Sequence, residues 1–413
     1  MNEPSVDKPL EQWQRWRTVL AAERLPCAVV DLDAVDHNAR VLRAALPSPG
    51  PRLRLASKSL RCPALISHIL SLDPGFQGLL TMSAAETRAL FELGFDDLFL
   101  AYPASRPEEA TDLADIAARG GKLLATVDCA AHVDLLDAAA REAGTVLPVA
   151  IDLDLSLPLL GQHLGVRRSP IRDAAAALAL ARHIETRSGT VLRGLLAYEA
   201  QVAGIPDRVR GGALLDPVRG LIKRRSIPLA RRRRAELLAA LGPLPIVNGG
   251  GTGSLHSTGL DPSVSEVTAG SGFLCPHLFD GYEGLPLRPA AFFALAVCRQ
   301  SDRGFVTCYG GGYAASGPGG ADRSPLPWLP PGLKTVDLEG FGEVQTPLDT
   351  RACPVELELG DPVLCRHAKA GELADRFDEL LLVRGERIVQ RAPTLRALGR
   401  GAEGGLLAPR VLI

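Results

Sequence analysis

The chain has 413 residues, enough for two or three domains, and its 46% apolar and 23% charged residues exclude wholesale disorder. Its 46 Lys and Arg stand against 47 Asp and Glu, a net charge of -1, which excludes a broad nucleic-acid footprint. No apolar run reaches the ~20 residues of a membrane helix, the polar opening Met1–Pro4 shows no secretory signal, and eight scattered Cys without a Cys-x-x-Cys pair read as reduced thiols of a cytoplasmic protein.

Residues 1–25 read as a helix, with Trp13, Trp16, Val19 and Leu20 at helical spacing and Pro26 closing it. Strand-like runs then recur at Ala28–Leu32, Leu53–Ser57, Gly78–Met82, Asp97–Ala101, Lys122–Val127, Val149–Asp154, Val191–Ala197 and Ile246–Asn248. Ala/Leu-rich helical stretches separate most of them, among them Ala34–Leu46, Ser83–Leu93, Pro107–Arg119, Ala130–Ala143, Pro170–Ser188 and Ala230–Leu241. Eight such units predict a closed (β/α)8 TIM barrel, an α/β fold. After about Leu285, Gly, Pro and short β-like runs replace the helices, and a mostly antiparallel β domain is expected. The predicted division is an N-terminal helix over 1–27 packing with the C-terminal domain, a barrel over 28–285 and a β domain over 286–413. Arg231–Arg234, following Lys223–Arg225, reads as a solvated helix face or an anion-attracting rim, because no aromatic residues interleave with the charges. Gly310–Pro331 reads as a long loop bordering a functional site.

Only six of the basic residues are Lys, so a Lys kept where Arg is the easy substitute merits inspection. Lys58 follows the second β-run directly, at the barrel end where active sites collect, and desolvation there makes an amine a usable nucleophile. Taken alone it reads more readily as a surface residue. Gly249-Gly250-Gly251-Thr252-Gly253-Ser254 follows the strand Ile246–Asn248, and its backbone N–H groups and hydroxyls suit a phosphate. It is neither a Walker loop nor a dinucleotide loop. Glu266–Phe273, with Ser271 and Gly272, is a strand-like run that would close the phosphate site from the other side. Tyr198, at the end of the strand before Glu199, would reach a ring or a phosphate or serve as a half-buried structural residue. His367 and Lys369, two apart on an expected strand, would share a face. The seven other His show no metal spacing.

A strand-end Lys, a glycine loop and a trailing β domain together suggest a pyridoxal-phosphate enzyme. The chain resembles the fold-type III pyridoxal-phosphate enzymes with an alanine-racemase-like N-terminal domain, in their D-threonine aldolase / D-serine dehydratase branch, the subgroup known as amino acid deaminase/aldolase. Pro26–Asp33, Arg54…Lys58…Cys62-Pro63, Gly194…Tyr198-Glu199, Asn248–Ser254, Glu266…Ser271-Gly272 and His367 onward carry the resemblance, in order along nearly the whole chain. It implies a lyase of β-hydroxy D-amino acids, working by retro-aldol cleavage or dehydration through a Lys58 Schiff base. It implies that Tyr198, Asn248, Gly249, Gly251, Thr252, Ser271 and Gly272 hold the cofactor, that His367 and Lys369 act at the β-hydroxyl, and that the protein is a homodimer. The metal-dependent relatives carry His-x-Cys or His-x-Asp where this chain has His367-Ala368-Lys369. A protonated Lys cannot ligate a cation, so no divalent metal is expected unless His367 recruits another ligand such as Glu372. The alternatives are an amino-acid racemase, with Tyr309 or Tyr313 as second base, and a non-catalytic pyridoxal-phosphate-binding protein.

Overall fold

In the computed structural model, which describes residues 9–159, 161–209, 213–301 and 304–399, eight parallel strands close into a barrel. In order they are Arg52–Ala56, Phe76–Thr81, Leu98–Leu100, Leu123–Val127, Leu147–Asp152, Thr190–Ala197, Ile246–Gly249 and Glu266–Ala269. Phe99, Ala101, Leu124, Ala150 and Leu196 fill its interior, separate from the larger core between strands and helices. The interior also holds a charge. Arg54 is 1% exposed and donates from Nε to Glu266 Oε1 at 2.7 Å and from Nη2 to Asp97 Oδ1 at 2.8 Å. A cation this deep persists because both carboxylates answer it.

One expected barrel strand lies elsewhere. Cys27–Asp31 pairs antiparallel with Ala291–Ser301 and parallel with Glu379–Arg384, inside the second sheet, and Glu266–Ala269 completes the barrel instead. A short apolar run buried on both faces suits the middle of any sheet, so its pattern could not say which sheet claims it. The second sheet runs Lys334–Thr335, Gln345–Asp349, Phe305–Tyr309, Ala291–Ser301, Cys27–Asp31, Glu379–Arg384, Arg387–Pro393, with Pro362–Arg366 and Leu326–Leu329 branching from it. The helix Pro9–Val19 lies against this domain: Trp13 Nε1 donates to Pro362 O at 2.9 Å, and Arg17 meets Asp361 at 2.7 Å. The helix expected over Ala230–Leu241 begins at Asp216 and runs through Pro228. Among the described residues no helix is long and apolar enough to cross a membrane.

Candidate active site

The C-terminal ends of the barrel strands and the loops of the β domain enclose a cavity of about 710 Å³, within the usual range for small-molecule sites. Lys58 enters it from the single 3-10 turn Ser57–Ser59, immediately beyond the strand Arg52–Ala56. Its surface is open to the cavity, yet the walls surround it and remove much of its bulk water. That desolvation lowers the amine pKa below its ordinary value, and the charges of Arg168, Arg61 and Lys369 lower it further. Glu86 opposes them only partly. Its carboxyl is buried, accepts from Ser57 Oγ and is itself pushed up by burial, which weakens its hold on a proton at Lys58.

Across the cavity the glycine loop is anchored from behind. Glu199 is 2% exposed; it accepts from Ser254 Oγ at 2.9 Å, from Gly250 N at 3.3 Å and from Thr258 Oγ1. The Arg234 guanidinium, 1% exposed, pairs with Glu199, with Asp261 at 3.0 Å and with Ala197 O at 2.7 Å. This corrects the reading of Arg231–Arg234 as a solvated face. Successive helical residues point about 100° apart, so a run of four cannot all face water. Arg232 faces out beside Glu236, Arg233 donates to Asp154 O and Ser156 O, and Arg234 turns inward. Gly250 takes φ +79°, the left-handed region that favours glycine.

The loop after the last strand closes onto this cradle. Gly272 N donates to Thr252 Oγ1 at 3.1 Å, and Ser271 Oγ lies 3.1 Å from Ser59 Oγ, which ties the cradle to the turn that carries Lys58. A Cβ at Gly270 would stand 2.7 Å from Ser59 Cβ, so the approach of these two loops requires a glycine. Tyr198 flanks the cradle with its phenol pushed up to about 12, chiefly by burial, and so stays a donor at neutral pH. Arg168 lies over two rings, 4.9 Å from the Tyr102 centroid and 5.5 Å from that of Tyr198.

Of the expected site residues, Lys58, Tyr198, Asn248, Gly251, Thr252, Ser271 and Lys369 line the cavity. Gly249 and Gly272 do not: they pack behind the wall, Gly249 against Arg234 and Gly272 against Thr252. Asn248 is committed to the barrel network, its amide donating to Glu266 and Thr268 at 2.8 Å each. His367 is the largest departure. The strand Pro362–Arg366 ends before it and Lys369 caps the helix Ala370–Ala374, so strand alternation does not place the two on one face. Lys369 reaches the cavity, donating to Ser316 O at 2.7 Å and Ser316 Oγ at 3.0 Å, beside Glu372 at 3.7 Å. His367 is 5% exposed, sits off the cavity among Phe293, Tyr313 and Leu373, and neither ring nitrogen has a well-formed hydrogen bond among the described residues. Arg168, Ser59 and Tyr282 line the cavity without having been singled out, and Gly250 lines it as part of the expected glycine loop. Asp128, Cys129 and His132 gather within 4.8 Å of one another beyond the strand Leu123–Val127, a grouping that residue spacing did not disclose.

Burial, then Arg366 and His277, push the His367 imidazole down to about 3. Between pH 3 and its ordinary 6.5 the unfolded chain binds a proton there that the folded chain refuses. Stability therefore falls as pH drops below 6.5. His367→Leu should flatten the pH dependence of thermal unfolding between pH 7 and 5, by about 2 kcal/mol at pH 5. An unchanged slope would show that the imidazole ionises freely in the fold.

Comparison with known proteins agrees with this fold. Residues 30–207, which include six of the barrel strands, match the family described as alanine racemase, N-terminal domain. D-threonine aldolase from an Arthrobacter species is 26% identical over 61% of this chain and 61% of its own length. 3-Hydroxy-D-aspartate aldolase from Paracoccus denitrificans is 26% identical over 60% of this chain and 59% of its own. The matched segments thus span about three fifths of these curated relatives. Among solved structures, D-threonine aldolase from Filomicrobium marinum superposes with a TM-score of 0.77 at 21% identity, covering 91% of this chain and 95% of that one. D-threo-3-hydroxyaspartate dehydratase from Delftia sp. HT23 gives 0.71 at 21%, covering 91% and 98%. An alanine racemase from Clostridium difficile is more distant, at 0.64 and 13%. Residues 30–207 thus match an alanine racemase N-terminal domain, the chain shares its fold with the D-threonine aldolase structure, and the relatives it matches are named as D-threonine aldolase, 3-hydroxy-D-aspartate aldolase and D-threo-3-hydroxyaspartate dehydratase.

Proposed function

We propose that this chain is a pyridoxal-phosphate-dependent lyase acting on a β-hydroxy D-amino acid. The observation that carries the reading is Lys58, an amine of lowered basicity at a barrel mouth, facing a glycine cradle across one cavity. The residues fit the cofactor. Gly250 and Gly251 leave no side chain in the cradle, while Thr252 and Ser271 open short helices whose first N–H groups have no intrahelical acceptor. These groups would hold the phosphate, with Tyr198 as a further donor. When bound, pyridoxal phosphate supplies an aldehyde carbon that condenses with amines and a ring that takes up an electron pair from the substrate's Cα.

Lys58 in its neutral form supplies the nucleophile and then a base beside the substrate. Removing the β-hydroxyl proton leads to Cα–Cβ cleavage; removing the Cα proton, with an acid at the hydroxyl, leads to loss of water. The donors at 367–369 do not fit a divalent metal. The Lys369 ammonium has no lone pair, the His367 ring lies off the cavity, and no group of three metal donors among the described residues includes His367. We therefore assign the hydroxyl to Lys369: Ser316 takes two of its protons and the third is left for the cavity. A cytoplasmic homodimer completes the reading, in keeping with eight free Cys and the exposed Tyr309, Leu338 and Val344 of the β domain. For a racemase, neither Tyr309 nor Tyr313 lines the cavity; the Tyr313 ring packs 5.0 Å from Phe293 and 5.4 Å from Phe377.

The test is a product assay on the purified protein with added cofactor and a panel of D-β-hydroxy amino acids. Aldehyde identifies cleavage, 2-oxo acid with ammonia identifies dehydration, and loss of optical rotation without either refutes the lyase. Chelation should leave turnover unchanged, and Lys369→Gln should lower it about 10²- to 10⁴-fold, the usual cost of losing an acid–base group. Activity lost to chelator and restored by zinc or manganese would overturn the assignment to Lys369.

A further inference from the structure

The cavity wall carries five cations among the described residues, and four of the five have an acidic neighbour or a role. Arg61 pairs with Asp375 and donates to Lys58 O at 2.9 Å. Arg323 stands 3.6 Å from Asp322. Lys369 is held by Ser316 and Glu372. Lys58 is the nucleophile. Arg168 remains: among the described residues no carboxylate lies within 4.0 Å of its guanidinium, which lies over the faces of Tyr102 and Tyr198. Asp154 is taken by Arg172 at 2.8 Å, and the buried Asp152, whose carboxyl Arg168 lowers against the effect of burial, acts on Arg168 only from beyond pairing distance. Arg168 is thus a cation acting on Lys58 with no carboxylate paired to it among the described residues, and aromatic faces attract a guanidinium without using its N–H forks.

A free guanidinium in a partly desolvated wall suits one carboxylate, bound bidentately. A second carboxylate finds no such partner. It would meet Arg323 and Lys369 only beside Asp322 and Glu372, 3.6 and 3.7 Å from them, whose like charges oppose it. Another stretch of wall is apolar instead: Pro206, Val209, Pro276, Leu278, Phe279 and Tyr282, the last two rings stacked 4.8 Å apart.

We infer that the substrate carries a single carboxylate, held by Arg168, and an uncharged side chain laid on this apolar wall. The inference rests on the lyase reading above and narrows it. It sets the chain apart from those relatives named for 3-hydroxyaspartate.

Two measurements on the holoenzyme separate the inference from the reading beneath it. The first compares kcat/KM for D-configured 3-phenylserine and 3-hydroxyaspartate; at least a ~100-fold preference for phenylserine is expected, because a misplaced like charge costs several kcal/mol. The second is calorimetric binding of D-phenylalanine and D-aspartate, which lack the β-hydroxyl and cannot undergo the lyase step. D-Phenylalanine should bind more tightly, Arg168→Gln should weaken it about 10- to 100-fold, and Arg168→Lys should recover part of the loss. Equal or better turnover of 3-hydroxyaspartate overturns the inference and leaves the lyase standing. Binding unchanged in Arg168→Gln overturns the role of Arg168. Arg168-dependent preference for D-phenylalanine without turnover of either hydroxy acid supports the charge reading and removes the lyase.

Discussion

Lys58→Ala is expected to abolish turnover, a loss of about 10³-fold or more, because it removes the amine of lowered basicity that stands open at the barrel mouth. Lys58→Arg is the sharper variant. It keeps length and charge, but a guanidinium has no accessible neutral form, so it should be as inactive as alanine. Both substitutions sit on an open side chain and should leave thermal stability within about 0.5 kcal/mol. The measurement pairs single-turnover product formation with the visible absorption of protein saturated with pyridoxal phosphate. Wild type should show a visible band that sodium borohydride abolishes as it fixes the cofactor covalently at Lys58, and neither variant should show it. Added methylamine should restore part of the activity of Lys58→Ala and none of that of Lys58→Arg. Full activity in Lys58→Arg would mean that the residue serves as a charge, and the lyase reading would fall with it.

Arg234→Met should cost about 3–5 kcal/mol of stability, since it strands the buried carboxylates of Glu199 and Asp261. Arg232→Ala, two residues away on the same helix, should cost less than about 0.5 kcal/mol, because that side chain is exposed beside Glu236. The contrast within one run of four arginines is the test, read by thermal denaturation. The double variant Arg234→Met/Glu199→Gln should recover part of the loss by removing one stranded charge. Glu199 also positions the cradle, so Arg234→Met that still folds should bind pyridoxal phosphate more weakly than wild type. Equal losses at 232 and 234 would refute the buried network.

The residues that announced themselves in the sequence were those whose chemistry is local. Lys58 stood out as one of few lysines at a strand end, and Gly249–Ser254 as a loop whose composition alone suits an anion. The barrel was legible because strand and helix periods alternate along the chain. What escaped depends on which way a side chain turns or which distant strand takes up a segment. His367 and Lys369 would have shared a face only if the strand continued past Arg366. Arg168 bears no motif, and its meaning comes from the two tyrosine rings it lies over and from having no carboxylate within 4.0 Å among the described residues. Arg234 looked like its neighbours until the helix rotated it inward.

The position of Cys27–Asp31 between Ala291–Ser301 and Glu379–Arg384 sets an order of events at the ribosome. Its two neighbours are the products of translation some 260 and 350 residues later. At ~5–20 residues per second, this segment waits tens of seconds or more with its edges unpaired while the barrel strands that follow it assemble. The β domain is therefore not a detachable C-terminal unit. A fragment holding only the later residues lacks an inner strand of its sheet, and a fragment ending with the barrel carries an apolar strand with nowhere to go.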